Sequence, residues 1–346
     1  MLDRLGLNLP IIQAPMAGVS TPELAAAVSE AGALGSISVG ATDASDARMM
    51  MLELRSRTQR PFNVNVFVHQ APQRRPERES AWLSALAPTF RKFNAEPPST
   101  LRVIYRSFAE DDEMLRLVVE LRPAVVSFHF GLPTADRIRA LKAAGCFLLA
   151  TATSLPEAQE AEEAGIDALV AQGFEAGGHR GVFDLEASDD CLGTFALTRL
   201  LVRRTNLPVI AAGGIMDGQG IRAALNLGAI AVQLGTAFIA CPESSADEAY
   251  RAALFSPASE HTTMTQAISG RPARCLRNGF TALGAELKLS PPGYPIAYDA
   301  GKALNAVAKQ AGEGGFGAQW AGQGAPLARA LPAAELVATL ALEMHA

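Results

Sequence analysis

Residues 208–235, PVIAAGGIMDGQGIRAALNLGAIAVQLG, contain two short apolar runs separated by a helical pattern. The first run ends in Gly213-Gly214, ahead of a helix expected to begin near Asp217, and the second ends in Gly235. A strand, a crossover helix and a second strand in this order form a parallel βαβ unit, because parallel strands need a long connection. The stretch therefore predicts two neighbouring strands of a parallel sheet.

The same alternation extends over most of the chain. Eight apolar runs are separated by turn residues and helical patterns: PIIQA (10–14), LGSIS (34–38), FNVNVF (62–67), AVVSFHF (124–130), CFLLATA (146–152), ALVAQG (168–173), PVIAAGG (208–214) and AIAVQLG (229–235). Several runs are apolar throughout, as expected of strands covered on both faces. The 346 residues exceed the roughly 250 of a typical barrel. We predict an α/β fold, a (β/α)8 TIM barrel with a smaller, mostly helical second domain. The alternative, an open doubly wound sheet, usually has a Gly-rich first turn, and this chain has APMAGVS there.

The predicted domain organisation follows from where the alternation is interrupted. The barrel is expected over 1–241, with residues 70–123 as an elaborated connection after the third strand that contains two probable helices. Residues 242–346 lie beyond the eighth strand and contain helices expected near 296–311 and 332–345. We expect this extension to contribute to a smaller, substrate-capping domain and then to return to the barrel.

Composition narrows the possible partners. The net charge is −5, and no lysine/arginine block is longer than Arg74-Arg75, which argues against nucleic acid. The four cysteines form neither a CxxC pair nor a Cys/His cluster, so no metal site is predicted. No run approaches the roughly 20 apolar residues of a membrane span, and no secretion signal is recognisable at the N-terminus. We expect a cytoplasmic monomer or homodimer that binds a small molecule.

The ends of the seventh and eighth runs predict a phosphate site. In such barrels, ligands bind at the C-terminal ends of the strands. Gly213-Gly214 and Gly235-Thr236 stand there, where glycine allows close approach, a following helix offers N–H groups and Thr236 adds a hydroxyl. Glycines that only shape tight turns are the alternative, but two consecutive turns at this place favour phosphate.

Three amide side chains stand at or near other strand ends: Gln13, Asn65 and Gln172. An amide offers a donor and an acceptor, which suits the uncharged ring of a flavin. Combined with the phosphate site, they indicate flavin mononucleotide (FMN), although a sugar phosphate remains possible from the residues alone.

Two histidines are candidates for chemistry. In QGFEAGGHRG (172–181), Gly177 and Gly178 allow a tight loop that presents His179 at the barrel mouth, where it could remove a proton or hydrogen-bond an anion. The alternative is a loop histidine bonded to backbone. His129, in VVSFHFGLP, stands at the end of the fourth run, where a structural role between two phenylalanines has more weight.

A tyrosine and lysine pattern in the tail suggests a substrate wall. Tyr294, Tyr298 and Lys302 recur every fourth residue; if Pro295 opens a helix, Tyr298 and Lys302 share one face and Tyr294 lies just before it. A solvated face is the default reading, but these residues could line a pocket for an anion, with Tyr105 on the opposite wall.

The chain resembles the nitronate monooxygenases of the 2-nitropropane dioxygenase family, class I, nearly end to end. The motifs that carry the resemblance are QAPMAGVSTPELAAAVSEAGALGS, FNVNVFV, VVSFHFGLP, QGFEAGGHRG, PVIAAGGI with VQLGTAF, and FGAQWAGQGAPLAR. The resemblance implies a TIM barrel with a smaller helical domain and noncovalent FMN. It also implies oxidation of alkyl nitronates such as propionate 3-nitronate by O2, through one-electron transfer to the flavin, giving an aldehyde-type product with nitrite and nitrate.

The resemblance also assigns residues. It implies that His179 is catalytic, and that FMN is bound by Met16 through its backbone and by Asn65, Gln172, Gly177, Gly213, Gly214, Gln233, Leu234, Gly235 and Thr236. Tyr105, His129, Tyr294, Tyr298 and Lys302 match positions around the substrate. Two alternatives stay open: an NAD(P)H-dependent flavin reductase of the quinone or enoyl-acyl carrier type, and a barrel that binds a phosphate ligand without redox chemistry.

Overall fold

The computed structural model describes all residues from 1 to 346, and its strands confirm the eight predicted runs. The strands are β1 (Ile11–Gln13), β2 (Gly35–Ser38), β3 (Phe62–Phe67), β4 (Val125–His129), β5 (Phe147–Ala152), β6 (Ala168–Gln172), β7 (Gly178–His179), β8 (Val209–Ala212), β9 (Ala231–Leu234), β10 (Thr262–Thr265) and β11 (Ala273–Leu276). All but β7, β10 and β11 form one parallel sheet, in the order β2-β3-β4-β5-β6-β8-β9-β1. A parallel bridge between Ile12 and Leu34 brings β1 beside β2 and closes the sheet into a TIM barrel.

Fourteen α-helices accompany the strands. They are α1 (Leu2–Leu5), α2 (Pro22–Glu30), α3 (Ala44–Arg57), α4 (Pro76–Lys92), α5 (Asp112–Leu121), α6 (Ala135–Ala143), α7 (Leu155–Glu163), α8 (Thr194–Arg204), α9 (Gly218–Asn226), α10 (Thr236–Ile239), α11 (Glu248–Leu254), α12 (Gly279–Leu287), α13 (Ile296–Gln310) and α14 (Ala333–Glu343). The start of α2 follows its sequence, because the Thr21 side chain accepts from Leu24 N and Pro22 takes the first helical position. None of these helices combines the length and the apolar character that crossing a membrane requires.

The barrel strands are buried on both faces because their side chains alternate between two apolar layers. Leu149 and Val170 belong to the inner core, whereas Leu148 and Leu169 pack outward with the surrounding helices. Side chains at i and i+1 of a strand point to opposite faces, so runs that are apolar throughout satisfy both layers.

A second core joins the connection after β3 to the C-terminal extension. Trp82 and Phe90 of α4 pack with Phe280 of α12 and with Ile296 and Leu304 of α13. The last helix, α14, packs instead on the barrel beside α2 and α9. The predicted division at residue 241 stays a prediction.

Candidate active site

A cavity of about 720 Å³ lies at the C-terminal ends of the barrel strands. All but Gln13 of the residues singled out for catalysis, cofactor or substrate binding line it: Met16, Asn65, Tyr105, His129, Gln172, Gly177, His179, Gly213, Gly214, Gln233, Leu234, Gly235, Thr236, Tyr294, Tyr298 and Lys302. The volume falls within the range of small-molecule and cofactor sites. The structure therefore brings the predicted site residues together around one space.

The segment carrying His179 is held as a strand and is not a free loop. Gly178 and His179 form β7, which pairs antiparallel with β11 through Ala273. The His179 carbonyl accepts hydrogen bonds from Gln172 Nε2 at 3.0 Å and from His129 Nε2 at 3.2 Å. Gly178 has a positive φ of 75°, which favours glycine. The backbone of the histidine is thus fixed from three sides.

Gly177 is required for a different reason, namely close packing against the tail. A Cβ built on Gly177 would lie 2.5 Å from Gly322 N and 2.6 Å from the Ala321 carbonyl carbon. Gly322 N also donates to Thr236 Oγ1 at 3.0 Å. The close approach therefore links the histidine segment to the end of β9.

The His179 imidazole projects among aromatic rings and has one polar partner in the protein. Its Nε2 lies 2.9 Å from Ser269 Oγ, and its ring centroid lies 5.6 Å from Phe130, 5.4 Å from Tyr294 and 5.1 Å from Trp320. Burial, with Arg271 and His129 adding to it, holds the pKa of His179 well below its usual value. The ring is therefore neutral near pH 7, with one nitrogen available as an acceptor.

The direction of the hydrogen bond to Ser269 decides which nitrogen of His179 is the free acceptor. Its Oγ also lies 3.2 Å from the Arg271 carbonyl oxygen, and a hydroxyl has one proton to donate. If that proton goes to the carbonyl, His179 Nε2 must donate to Ser269, and Nδ1 is left as the acceptor. If it goes to Nε2, Nδ1 carries the proton. A base at Nδ1 requires the first arrangement.

His129 has both ring nitrogens engaged by protein groups. Because Nε2 faces a carbonyl, it donates, and Nδ1 then accepts from Thr151 Oγ1 at 3.0 Å. Burial lowers the pKa of His129 to about 4, with nearby Arg271 adding to the effect. The side chain lines the cavity, yet these bonds support the structural role that the sequence favoured for it.

The tail residues predicted to form a substrate wall lie together at the cavity, and their role toward a substrate stays a prediction. Tyr298 and Lys302 lie on α13, and Tyr294 lies just before it. Lys302 Nζ is 4.9 Å from the Tyr105 ring centroid and 5.6 Å from that of Tyr298. Its nearest acidic neighbour, Asp299, is held by Arg102 through three hydrogen bonds. The ammonium group forms no ion pair and faces the cavity, where it would attract an anion.

At the opposite end of the cavity, the turns after β8 and β9 offer free backbone N–H donors; we call these turns, Gly213-Gly214 and Gly235, the glycine corners. Gly213 and Gly214 have positive φ angles of 120° and 72°. Neither their N–H groups nor that of Gly235 has an acceptor within the protein. In the helix near Asp217, two of the first three N–H groups are occupied, since Gly220 N donates to the Asp217 carboxylate and Gly218 N donates to that of Glu343. The N–H of Gln219 has no acceptor within the protein, so the expected contribution of this helix stays a prediction.

The three amide side chains differ in which hydrogen-bond donors and acceptors they leave unpaired. Asn65 donates both hydrogens of its amide to Ser127 and accepts from Ser38, so only its oxygen has capacity left. Gln172 keeps one N–H, because it accepts from Gly181 N and donates to the His179 carbonyl. Gln13 is a correction to the sequence analysis: it is fully buried, bonds to Ser20 and to Ser36 N, and does not line the cavity.

Met16 is engaged through its own backbone. Its N–H donates to Ser20 Oγ, and its carbonyl oxygen accepts from the N–H groups of Val19 and Ser20. The backbone contact to FMN that the resemblance implies stays a prediction.

Three further residues of the site were not identified from the sequence: Ser269, Arg271 and Trp320. Trp320 was noted only as part of a motif, although an aromatic residue in a Gly-rich stretch is a usable signal. Ser269 and Arg271 follow β10 in a turn that no local pattern marks, so only the fold brings them to His179.

The comparisons with known proteins agree on one family. The nitronate monooxygenase family model matches residues 1–343. The chain is 62% identical to a nitronate monooxygenase of Paraburkholderia phytofirmans, over 99% of this chain and 94% of that protein. It is 57% identical to a nitronate monooxygenase of Pseudomonas aeruginosa over the whole of both chains.

Two solved structures are similar over nearly the full length. Nitroalkane oxidase from Streptomyces ansochromogenes superposes with a TM-score of 0.92 at 40% identity, covering 99% of this chain and 97% of that one. FabK from Thermotoga maritima superposes with a TM-score of 0.76 at 32% identity, covering 99% and 95%.

Proposed function

We infer the function of the site from one premise: the chain belongs to the nitronate monooxygenase family. It is an oxidoreductase that oxidises nitronates, and its family is flavin-dependent. The cofactor, the substrate and the residue roles given below are our proposals.

We propose FMN as the flavin, because the cavity fits a flavin mononucleotide at both ends. The unpaired N–H groups of Gly213, Gly214 and Gly235 would hold the phosphate, with the Thr236 hydroxyl as a further donor. The free acceptor of Asn65 and the free N–H of Gln172 lie along the same cavity, where they would face the polar edge of the ring. Gln233 and Leu234, at the end of β9, and Met16 would complete the wall.

The proposed substrate is an alkyl nitronate of the propionate 3-nitronate type. Such an anion needs a positive charge that the protein has not already neutralised. Lys302 supplies one between the rings of Tyr105 and Tyr298. The rings of Tyr294 and Trp320 reduce the access of water to the same space, which strengthens a charge-assisted bond to the nitronate.

When bound, FMN would supply the one-electron chemistry by which the nitronate is oxidised, with O2 as the final oxidant. Lys302 binds the anion and orients it. When Ser269 donates to His179 Nε2, the ring, whose backbone is held by the bonds to its carbonyl, would donate from Nδ1–H to the nitro oxygens of the nitronate. If a neutral nitroalkane enters, the other arrangement is needed, in which Nε2 donates to Ser269 and Nδ1 is the group placed to remove a proton from the α-carbon. The products are an aldehyde-type compound with nitrite and nitrate.

One observation carries this proposal: His179 and the glycine corners after β8 and β9 line the same cavity. Purified protein that is yellow and changes its visible spectrum on anaerobic mixing with propionate 3-nitronate, but not with NADH, is the expected result. Rapid bleaching by NADH would instead establish the reductase alternative. A colourless protein that takes up no FMN would overturn the flavin assignment.

We also propose a cytoplasmic location, which the four free cysteines support. The division into a barrel, 1–241, and an extension that caps the substrate, 242–346, is likewise proposed. It is supported by the position of Tyr294, Tyr298 and Lys302 over the barrel mouth.

A further inference from the structure

A second, small cavity lies behind Tyr294. Its volume is about 40 Å³, and it is lined by His69, Gln70, Phe183, Leu185, Arg271 and Tyr294. Tyr294 is the only residue that lines both this space and the main cavity. Gln70 and Leu185 are exposed, so the small cavity lies next to solvent on a side away from the substrate wall.

Arg271 brings a positive charge with no direct carboxylate partner to this cavity. The residue is 2% exposed and forms no ion pair; Glu157, whose carboxylate accepts from Phe183 N, acts on it only at longer range. Its guanidinium donates to the carbonyl oxygens of Arg180 and Val182 and lies 4.1 Å from the Phe130 ring centroid. A guanidinium has five N–H donors, so several remain free. A buried charge without a carboxylate partner is unfavourable, which gives the site a reason to hold an anion.

Two further polar atoms at this cavity have no partner. His69 Nε2 and the Tyr294 hydroxyl are both buried without a hydrogen bond, and the two rings lie 5.1 Å apart. Buried polar groups are nearly always paired, so two orphans beside one cavity point to a missing ligand. The tyrosine hydroxyl can donate to that ligand directly.

His69 Nε2 can donate a hydrogen bond only after the ring takes up a proton. Its Nδ1 lies 3.0 Å from the Gln70 carbonyl oxygen, which can only accept, so Nδ1 carries the hydrogen and Nε2 has a lone pair. Burial lowers the pKa of His69; Arg271 lowers it further, while the Gln70 carbonyl and Glu110 raise it. Near pH 7 the ring is therefore neutral, and protonation becomes favourable only when a negative charge arrives.

We propose that the small cavity binds one small monovalent anion, of the size of a halide or nitrite, together with one proton on His69. The volume exceeds the roughly 10–15 Å³ that a single water requires, which leaves room for a triatomic anion. Water alone would satisfy the orphaned atoms, but an anion also places a negative charge beside the Arg271 guanidinium. The lone pair of neutral His69 would repel that anion, whereas a proton on Nε2 turns it into a third donor, so that the anion lies between two positive groups.

Bromide is the probe for this site, because its anomalous scattering distinguishes it from water. In crystals of the holoenzyme soaked in sodium bromide, we expect a peak within hydrogen-bond distance of the Arg271 guanidinium. Nitrite in the soak is expected to remove the peak. If nitrite displaces bromide at a lower concentration than chloride does, nitrite, the reaction product, is the preferred ligand. If chloride displaces bromide at the lower concentration, a halide is the preferred ligand. Water density without a bromide peak overturns the proposal.

Proton uptake provides an independent measurement in solution. Bromide affinity, measured by calorimetry, is expected to fall about tenfold between pH 7 and pH 8, since one proton binds with each anion. His69→Gln keeps a polar side chain but cannot take up the proton, so its affinity is expected to be weaker and independent of pH. His261→Gln, at an exposed histidine, is the control and is expected to behave as the wild type. If the bromide affinity of the wild type does not change with pH, the proposed uptake of a proton together with the anion is wrong.

Discussion

Replacing Gly177 by alanine tests whether the histidine segment must pack directly on the tail. A Cβ at this position would lie 2.5 Å from Gly322 N, about 0.9 Å inside the 3.4 Å at which ordinary van der Waals contact begins. The nearest atoms all belong to the backbone, so neither side can yield by a rotamer change. The segment carrying His179, the segment at 321–322, or both must move by almost an ångström.

A displacement of that size has two expected effects. A misplacement of about 1 Å costs on the order of 100-fold in rate, and overpacking costs about 1–3 kcal/mol of unfolding free energy. Because Gly322 N donates to Thr236 Oγ1, moving residue 322 also disturbs the proposed phosphate end. We therefore expect Gly177→Ala to lower kcat/KM for propionate 3-nitronate about 100-fold and to weaken FMN binding.

The assay is oxygen consumption, combined with urea unfolding and flavin absorbance of the purified variant. Gly293→Ala is the matched control, because a Cβ there has nothing within 4 Å and the backbone does not need a positive φ. If Gly177→Ala had the same kcat/KM and FMN affinity as Gly293→Ala, the close approach would have no functional importance and the reasoning would be refuted.

Three further substitutions test the site and its support. His179→Asn should keep FMN, seen as retained yellow colour, but lose at least about 100-fold in kcat/KM; wild-type turnover would contradict the proposed role. Ser269→Ala should change the 15N signals that report the His179 tautomer and shift the pH profile of kcat, and Ser269→Thr should restore both, whereas a purely structural effect would leave the tautomer unchanged. Asp189→Asn removes the partner of buried Arg180, held at 2.7 and 2.9 Å. Since Asp189 is partly exposed, we expect a loss of about 2 kcal/mol at pH 7 by urea unfolding. The Arg180 hydrogen bond lowers the pKa of Asp189, so its contribution is present above the unfolded pKa of about 3.9 and disappears as the pH falls below it. A deficit that did not narrow on acidification would contradict this account.

The barrel was predictable because its signal is local and repeated. Strands such as β5 and β6 must be apolar on both faces, and each run ends at a turn visible in the sequence. The small sheet of β7, β10 and β11 was not predicted, because strands of two to four residues exist only through their partners. His179 was placed correctly at the barrel mouth, but its position in a paired strand depends on Ala273 in the tail.

The site residues also divide into those that a local sequence pattern predicts and those that only the fold brings to the site. Glycine corners and the spacing of Tyr298 and Lys302 follow from chain geometry, so the sequence predicts them. The prediction that Gln13 faces the cofactor was wrong because a position at a strand end does not determine the direction of an amide side chain. Ser269 and Arg271 could not be found, since Ser269 reaches His179, and Arg271 the carbonyl oxygen of the adjacent Arg180, only across sequence separations of 90 and 91 residues.

The placement of Trp320, Ala321 and Gly322 against Gly177 also bears on biosynthesis. The cavity is begun by Met16 and completed by Trp320, which follows roughly three hundred residues later in the chain. Because the barrel strands are synthesised before Trp320, a nascent chain can form much of the barrel while its mouth still lacks one side. We therefore expect stable acquisition of the flavin to follow synthesis of residues 320–322, with the empty barrel as the species that chaperones and proteases encounter first.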